Sequence, residues 1–535
     1  MRGLLTLCVA AFAATSFAAA PPATSQSGPK RVEVKRVFEG HMVQPRQMTS
    51  TPSRHAKAPA AADFDGRKFI GAVVMANSWS DMSITQVPYG LYEFTVTADG
   101  VSKEPKYTEM SHDWMSGAIR NGHFYGIRNI NMFGSLQGVA TSDIDINSWQ
   151  KLQEYMDENP TYAKLPIAMA YDFITGNIYS VNYNEDLTGL YWVRFNPKTL
   201  CTEYISPFRG KFTVVALGAA PDGNLYAVSS TGDLYTVNRE NGTPSLVGAT
   251  GVNVASYAQS MAWDSQTNSF LWSAVTPTGS SLYSLDPESG AATLIKKLSD
   301  NDQIVCIYPL ESGKAAGCPE PVSVPEWSFS TPGADNGSIS LTTPGSGKLW
   351  VYLDGSAAID GTSVSAGQKV SVPFEGLDNR THHVSAFVKN DSGWSPLSES
   401  FRYVGLDVPL PVTELTFSEA DGTATVSWTA PAGGVENGYI DPAKLYYRIV
   451  RVPDNVTVQD HWAETTYTET LPLGVKRYAY KVTPCNGDAK IGEATLSNSI
   501  IYGQAFEIPY FDNFEGEGDF DVYFPIDGDG DGRSL

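Results

Sequence analysis

The stretch Ala168-Met169-Ala170-Tyr171-Asp172-Phe173-Ile174-Thr175-Gly176-Asn177-Ile178-Tyr179 decides the fold, because the chain writes its pattern again further on. The unit continues through Gly189-Leu190-Tyr191-Trp192-Val193 to Asn196-Pro197. A second copy runs from Leu217-Gly218-Ala219-Ala220-Pro221-Asp222 through Gly223-Asn224-Leu225-Tyr226 to Asp233-Leu234-Tyr235-Thr236-Val237. A third carries Ser260-Met261-Ala262-Trp263-Asp264, then Asn268-Ser269-Phe270-Leu271-Trp272, then Ser281-Leu282-Tyr283-Ser284-Leu285. Each copy is a small-residue run, an Asx-Gly type turn and two alternating aromatic runs, which reads as strands joined by tight hairpins.

Measured from turn to turn, the period is about 45 to 50 residues, the spacing of four-stranded β-propeller blades. A small-residue strand such as Ala168-Met169-Ala170 suits the crowded position next to a propeller axis. The only window with a helical pattern is Ile146 to Met156. Ile304 to Leu310 reads as the first strand of a blade with nothing after it, and Phe69 to Ala76 opens a blade lacking its first strand. Pairing the two would close a ring and remove its exposed edges. Blades beginning near Arg67, Ser111, Lys164, Phe212 and Val254 number five; the long, irregular second unit leaves six open. The expectation is an all-β chain with a five- or six-bladed β-propeller over residues 67–318.

Before that region, Met1 to about Ala20 has the basic start, apolar run and small-residue end of a secretory signal peptide, too short for a membrane anchor. Cys8 lies inside the apolar run behind Leu7, not at its end behind a small residue, so no lipid anchor is expected there. Residues 21–66 are rich in Pro, Ala, Ser and basic side chains without periodicity, and read as a disordered leader. Beyond Lys68 the chain carries 27 basic against 54 acidic residues. Such a surface repels nucleic acid and anionic membrane. Cys201, Cys306, Cys318 and Cys485 are too few for a disulfide framework; a bridge from Cys306 to Cys318 and isolated buried thiols both remain open.

After Gly317-Cys318-Pro319 the texture becomes short Ser/Thr/Gly-rich strands. Residues 319–407 include Leu349-Trp350-Val351-Tyr352-Leu353 and His383-Val384-Ser385-Ala386-Phe387-Val388, and close on Trp394-Ser395-Pro396. Residues 408–505 repeat the plan, with Thr425-Val426-Ser427-Trp428, then Tyr446-Tyr447-Arg448-Ile449, then Leu473 and Tyr478-Ala479-Tyr480-Lys481-Val482. Several short alternating strands in about 100 residues argue a β-sandwich in each case. The second resembles a fibronectin type III domain, Trp428 standing for its early buried Trp and Leu473 with Tyr478 for its tyrosine-corner strand. The first resembles the same family through Tyr352, the His383 to Asn390 strand and Trp394, and lacks the early Trp. The resemblance implies spacers or binding modules, without chemistry of their own.

Residues 506–535 begin something further. Pro509-Tyr510-Phe511-Asp512-Asn513-Phe514-Glu515 and Phe520-Asp521-Val522-Tyr523 resemble the start of a cleaved-adhesin or choice-of-anchor J type jelly roll, a family of large bacterial surface proteins. The chain stops far short of such a domain, so a truncated jelly roll and a longer parent protein are expected. Asp527, Asp529 and Asp531, followed by Gly532, place alternate carboxylates where they can converge on Ca²⁺. A solvated acidic turn is the rival reading, and the twelfth position of an EF-hand falls beyond Leu535.

No nucleophile elbow, zinc-protease helix or phosphate loop occurs, so no catalytic residue is assigned. Asp172, Asp222 and Asp264 recur at one blade position, as turn-capping Asp residues do. His112 and Asp113 precede an inner strand without a repeated partner. Trp114, Trp192, Trp263 and Trp272 fit either a sugar-stacking platform or blade cores. The sequence thus points to a secreted or cell-surface adhesion protein whose propeller recognises an extracellular glycan or protein, with fibronectin-like spacers and calcium as the one cofactor. The alternative is a secreted hydrolase with its site in the propeller channel or in a missing C-terminal domain. Two or more ionisable groups with displaced pKa values at one mouth of the channel would mark the enzyme.

Overall fold

Among the described residues, alternating strands make up the regular structure, with a 3-10 turn at Tyr162–Lys164 and no α-helix. The computed structural model describes residues 64–76, 90–108, 114–132, 135–157, 159, 161–255, 258–298, 302–310, 313–472 and 475–503. Within them the chain divides into two compact units. One holds the residues up to Pro325 with Leu341–Val370 and Val384–Glu399, the other Glu326–Ser340, Ser371–His383 and the residues from Ser400 on.

The first unit begins with five four-stranded antiparallel sheets. Strands β1 (Lys68–Ala76), β2 (Gly90–Thr97) and β3 (Gly100–Thr108) form most of sheet 1. Sheet 2 is β4 (Trp114–Arg120), β5 (His123–Met132), β6 (Ser135–Asp145) and β7 (Gln150–Asp157). Sheet 3 is β8 (Pro166–Asp172), β9 (Asn177–Tyr183), β10 (Leu190–Asn196) and β11 (Cys201–Pro207). Sheet 4 is β12 (Val214–Ala219), β13 (Leu225–Ser229), β14 (Asp233–Val237) and β15 (Pro244–Ala249). Sheet 5 is β16 (Ser260–Asp264), β17 (Ser269–Thr276), β18 (Gly279–Leu285) and β19 (Ala292–Lys297). The next strand, β20 (Asp302–Pro309), returns to sheet 1 and pairs antiparallel with β1, Phe69 opposite Pro309 and Gly71 opposite Ile307.

Residues 146–156 are therefore no helix. Trp149 takes a positive φ of 58° in the turn, and β7 then runs exposed along the outer edge of sheet 2. The hairpin turns use the residues their backbone demands: Gly176, Gly223 and Asn268 sit at φ 69°, 90° and 51°.

Strand β4 lies against β8, β8 against β12, β12 against β16, β16 against β20, and β20 against β4. An apolar core fills each junction. Ile70, Leu91, Trp114 and Phe124 join sheets 1 and 2, Tyr125, Met169 and Phe195 sheets 2 and 3. Trp192, Val214 and Leu217 join sheets 3 and 4, Met261, Phe270 and Tyr226 sheets 4 and 5, and Phe69, Phe94, Leu271 and Leu282 sheets 5 and 1.

The Ser/Thr/Gly-rich stretch after Pro319 contributes a sheet to each unit. In the first unit, β23 (Gly347–Leu353), β24 (Ser356–Val364), β26 (Thr381–Asn390) and the short β27 (Gly393–Trp394) form a sheet of order β24-β23-β26-β27. Its Phe387 and Trp394 are buried in the same core as Phe173, Ile174 and Trp192, with Trp350 and Tyr352 packed alongside. Phe173 and Phe387 rings stand 5.4 Å apart. The Asn268 side chain completes the junction, its Oδ1 accepting from Trp394 N at 2.6 Å and its Nδ2 donating to Trp394 O at 3.3 Å. The other sheet has the order β21 (Glu326–Phe329), β22 (Gly337–Thr343) and β25 (Gln368–Phe374), and the stretch ends in β28 (Ser398–Tyr403).

The second unit also contains a complete sandwich. Strands β29 (Thr413–Ala420), β30 (Thr423–Thr429) and β33 (Thr466–Thr470) make one sheet. The other has β31 (Leu445–Val452), β32 (Val456–Trp462), β34 (Lys476–Asn486), β35 (Thr495–Leu496) and β36 (Ile500–Tyr502). Trp428, Tyr447, Tyr478, Tyr480 and Val482 fill the space between, a fibronectin type III-like arrangement. Tyr478 donates its hydroxyl to Pro472 O at 3.4 Å, the bond of a tyrosine corner. Leu473 lies outside the described residues.

Candidate functional site: the pocket where five inner strands meet

Small residues in the middle and C-terminal parts of β4, β8, β12, β16 and β20, the strands that lie against one another in a circuit, leave a hollow between them. Gly117 and Ala118 come from β4, Ala170 from β8, Gly218 and Ala219 from β12, Ala262 from β16 and Cys306 from β20. Gly117 is also fixed from behind, since a Cβ on it would meet the Phe124 ring of the neighbouring core at 2.6 Å. The resulting cavity is about 510 Å³, within the range of small-ligand sites. Two connecting segments of the same unit line it further: Pro321, Val322 and Val324 on one side, Pro396 to Glu399 on the other. They are tied together by the Ser398 hydroxyl, which donates to Val322 O.

The walls are mostly apolar, with Met169, Phe173, Met261, Trp263 and Leu397 prominent. The clearest polar feature is Tyr171, whose hydroxyl donates to Glu399 Oε2 at 2.5 Å. Burial, reinforced by that carboxylate, holds the Tyr171 hydroxyl well above its usual pKa. Burial and then Glu399 push Tyr308 up as well. Burial alone pushes the Cys306 thiol up to about 12. The four cysteines Cys201, Cys306, Cys318 and Cys485 are all free, so the Cys306–Cys318 bridge is not formed.

The recurring aspartates cap turns, and two also lock sheets together. Asp172 accepts from Ile174 N at 3.1 Å and from the Thr175 hydroxyl at 2.8 Å. It is also fully buried and held by Arg239 of the β14–β15 turn, Nε donating to Oδ2 at 2.6 Å and a terminal nitrogen to Oδ1 at 3.0 Å. Burial disfavours the Arg239 charge, yet the bond to Asp172 leaves its pKa raised. Asp264 caps its turn through Gln266 N and the Thr267 hydroxyl and pairs with Arg67, immediately before β1. Desolvation still pushes the Asp264 carboxyl above the ordinary range, against the pull of Arg67. Asp222 caps through Asn224 N and accepts from the Tyr226 hydroxyl instead. The arginine partners carried no sequence signal, standing 67 and 197 residues from their aspartates.

The four tryptophans do not gather into a platform. Trp114, Trp192 and Trp272 are fully buried in three different cores, and only Trp263 reaches the pocket. His112 and Asp113 lie outside the described residues, as do Asp527, Asp529 and Asp531. Among the described residues no three His, Cys, Asp or Glu side chains gather as a metal site, and no helix is long and apolar enough to cross a membrane.

No protein-family model matches the chain, and no curated protein does. Among solved structures it is similar to domains d3–d4 of the rat CD45 extracellular region, at 13% identity over 20% of this chain and 56% of that one, TM-score 0.16. The central fibronectin-III array of RIM-binding protein aligns at 15% identity over 36% of this chain and 71% of that one, TM-score 0.15. A chain of a nidogen/laminin complex aligns at 8% over 45% and 97%, TM-score 0.27. The chain thus spans little more than half of the CD45 fragment. At these TM-scores the likenesses carry no argument about this chain, whose fold rests on its own strand pairings.

Proposed function

We propose that this chain is the recognition head of a secreted or cell-surface binding protein, and that its five four-stranded sheets are the blades of a five-bladed β-propeller. Support for the ring comes from the return of β20 to sheet 1 and from the unbroken circuit of inner-strand contacts. The Arg67–Asp264 pair across sheets 1 and 5 repeats the Arg239–Asp172 relation between sheets 4 and 3. The single observation that carries the binding role is the pocket where all five inner strands converge. It is the ligand site in this reading, and the sandwich around Trp428 is a spacer.

The groups at the pocket favour recognition over the hydrolase alternative. A general base or nucleophile works best with a pKa near the operating pH. Tyr171, Tyr308 and Cys306 do gather at the pocket with displaced pKa values, the mark set for an enzyme, but each is raised away from neutral pH, which keeps it protonated rather than poised as a base or nucleophile. Of the two expected ligand classes, a protein is better supported than a glycan, since three of the four tryptophans that might stack on a sugar are sealed in cores. Calcium at Asp527, Asp529 and Asp531 is a separate proposal, tested by terbium luminescence of the full chain against its Asp529→Asn variant.

The test is an array of extracellular-matrix proteins and glycans probed with the full chain. Saturable binding to a protein, weakened at least tenfold by Ala262→Leu in the pocket wall, is expected. Silence on every spot, or turnover of a bound substrate, contradicts the proposal.

A further inference from the structure

We infer that the pocket between the inner strands receives an uncharged apolar group, aromatic or branched aliphatic, bearing one hydrogen-bonding atom, and that it rejects saccharides. This rests on the reading of that pocket as the ligand site and specifies its chemistry.

Desolvation is the first reason. A sugar brings a hydroxyl on nearly every carbon, and each one buried without a partner costs about 1–3 kcal/mol. The side chains of Met169, Phe173, Met261 and Leu397 have no hydrogen-bonding group to offer in return beyond a weakly accepting sulfur, and of the polar side chains in the same lining the hydroxyls of Tyr171, Ser265 and Ser398 already donate within the protein. An apolar group gains from the same walls by leaving water, and Trp263 adds an aromatic surface for ring contacts.

Enclosure is the second. Five strands form the sides, and Pro321–Val324 and Pro396–Glu399 border the remaining opening, joined through Ser398 and Val322. A cavity of about 510 Å³ so bordered admits a small molecule or one projecting side chain, not the flat surface of a folded domain.

Polarity at one end is the third. The Tyr171–Glu399 hydrogen bond fixes a carboxylate at the pocket wall with its oxygens oriented. A carboxylate has about four acceptor positions, so alongside the partners Glu399 already holds within the protein it can take a single N–H or O–H on the entering group while the rest of the group stays in the apolar part.

The experiment is calorimetric titration of the full chain with indole, N-acetyl-tryptophanamide and maltohexaose, repeated on Ala262→Leu and Glu399→Gln, with thermal unfolding to show that each variant folds. Indole represents a free small molecule and N-acetyl-tryptophanamide a side chain on a peptide. The expected result is one saturable site for at least one of these two, none for maltohexaose, loss of binding in Ala262→Leu, and binding weakened three- to thirtyfold in Glu399→Gln. Tighter binding of the amide identifies a peptide source, and tighter binding of indole a small molecule. Maltohexaose binding that Ala262→Leu abolishes would overturn the inference while leaving the pocket a ligand site. Apolar binding untouched by Ala262→Leu would place the ligand elsewhere and overturn both readings. Should neither apolar probe bind while an array ligand is still lost in Ala262→Leu, the chemistry assigned here is wrong and the recognition role stands.

Discussion

Asp172 shows how far a single residue could be read in advance. Its recurrence with Asp222 and Asp264 revealed a turn cap, and Asp172 does bond the amide two residues on. Its second partner, Arg239, is brought to it only by the stacking of sheet 4 on sheet 3, a long-range event that no local pattern encodes. Because Asp172 is wholly buried, removing that partner strands a charge away from water. Arg239→Met should cost about 3–5 kcal/mol, read as a lowered denaturant midpoint with an unchanged slope. Asp454 gives a pH test in the second sandwich. Its bond from Arg451 lowers its pKa below the ordinary 3.8. The folded state therefore binds fewer protons than the unfolded chain, and the pair's contribution is present above 3.8 and lost as pH falls through the lower folded value. Unfolding midpoints measured from pH 6 to pH 2 should fall less steeply for Asp454→Asn than for the parent.

At the scale of elements, period and turn chemistry made the repeating strands legible. Small residues marked the inner strands, Gly or Asn at positive φ marked the hairpins, and alternating aromatics marked the middle strands. Residues 146–156 misled because β7 is an outer edge strand exposed along most of its length, so its side chains do not alternate between core and water. An exposed strand leaves no period of two to find. Packing between sheets was equally hidden. A Cβ on Gly248 of β15 would meet Ser289 O in the β18–β19 turn at 2.2 Å, a backbone approach that no propensity reveals. Gly248→Ala should destabilise by about 1–3 kcal/mol in thermal unfolding. Gly433→Ala, where the added atom would have nothing within 4 Å, should be neutral or slightly stabilising.

On the scale of the whole molecule, the residues by which the first sandwich resembles a fibronectin type III domain also serve a core shared with the repeating sheets. Tyr352 and Trp394, read as marks of that family, pack with Phe173 and Ile174 of the β8–β9 turn and Trp192 of sheet 3. Composition told apart the textures on either side of Pro319. Burial of one against the other depends on aromatic side chains whose destinations only the folded chain defines. Residues 64–310 expressed alone should therefore expose Phe173 and the faces of Tyr171 and Trp263, and aggregate or bind a hydrophobic dye, whereas residues 64–503 should remain monodisperse.

In the proposed function a ligand is held in the pocket lined by β4, β8, β12, β16 and β20. Amide hydrogen exchange of the full chain, with and without a saturating ligand retained on the array, tests this most directly. Slowed exchange concentrated in residues 117–121, 169–173 and 306–310 and in the 396–399 segment is the predicted result. Slowed exchange confined to other surfaces, with those segments unchanged, would contradict it.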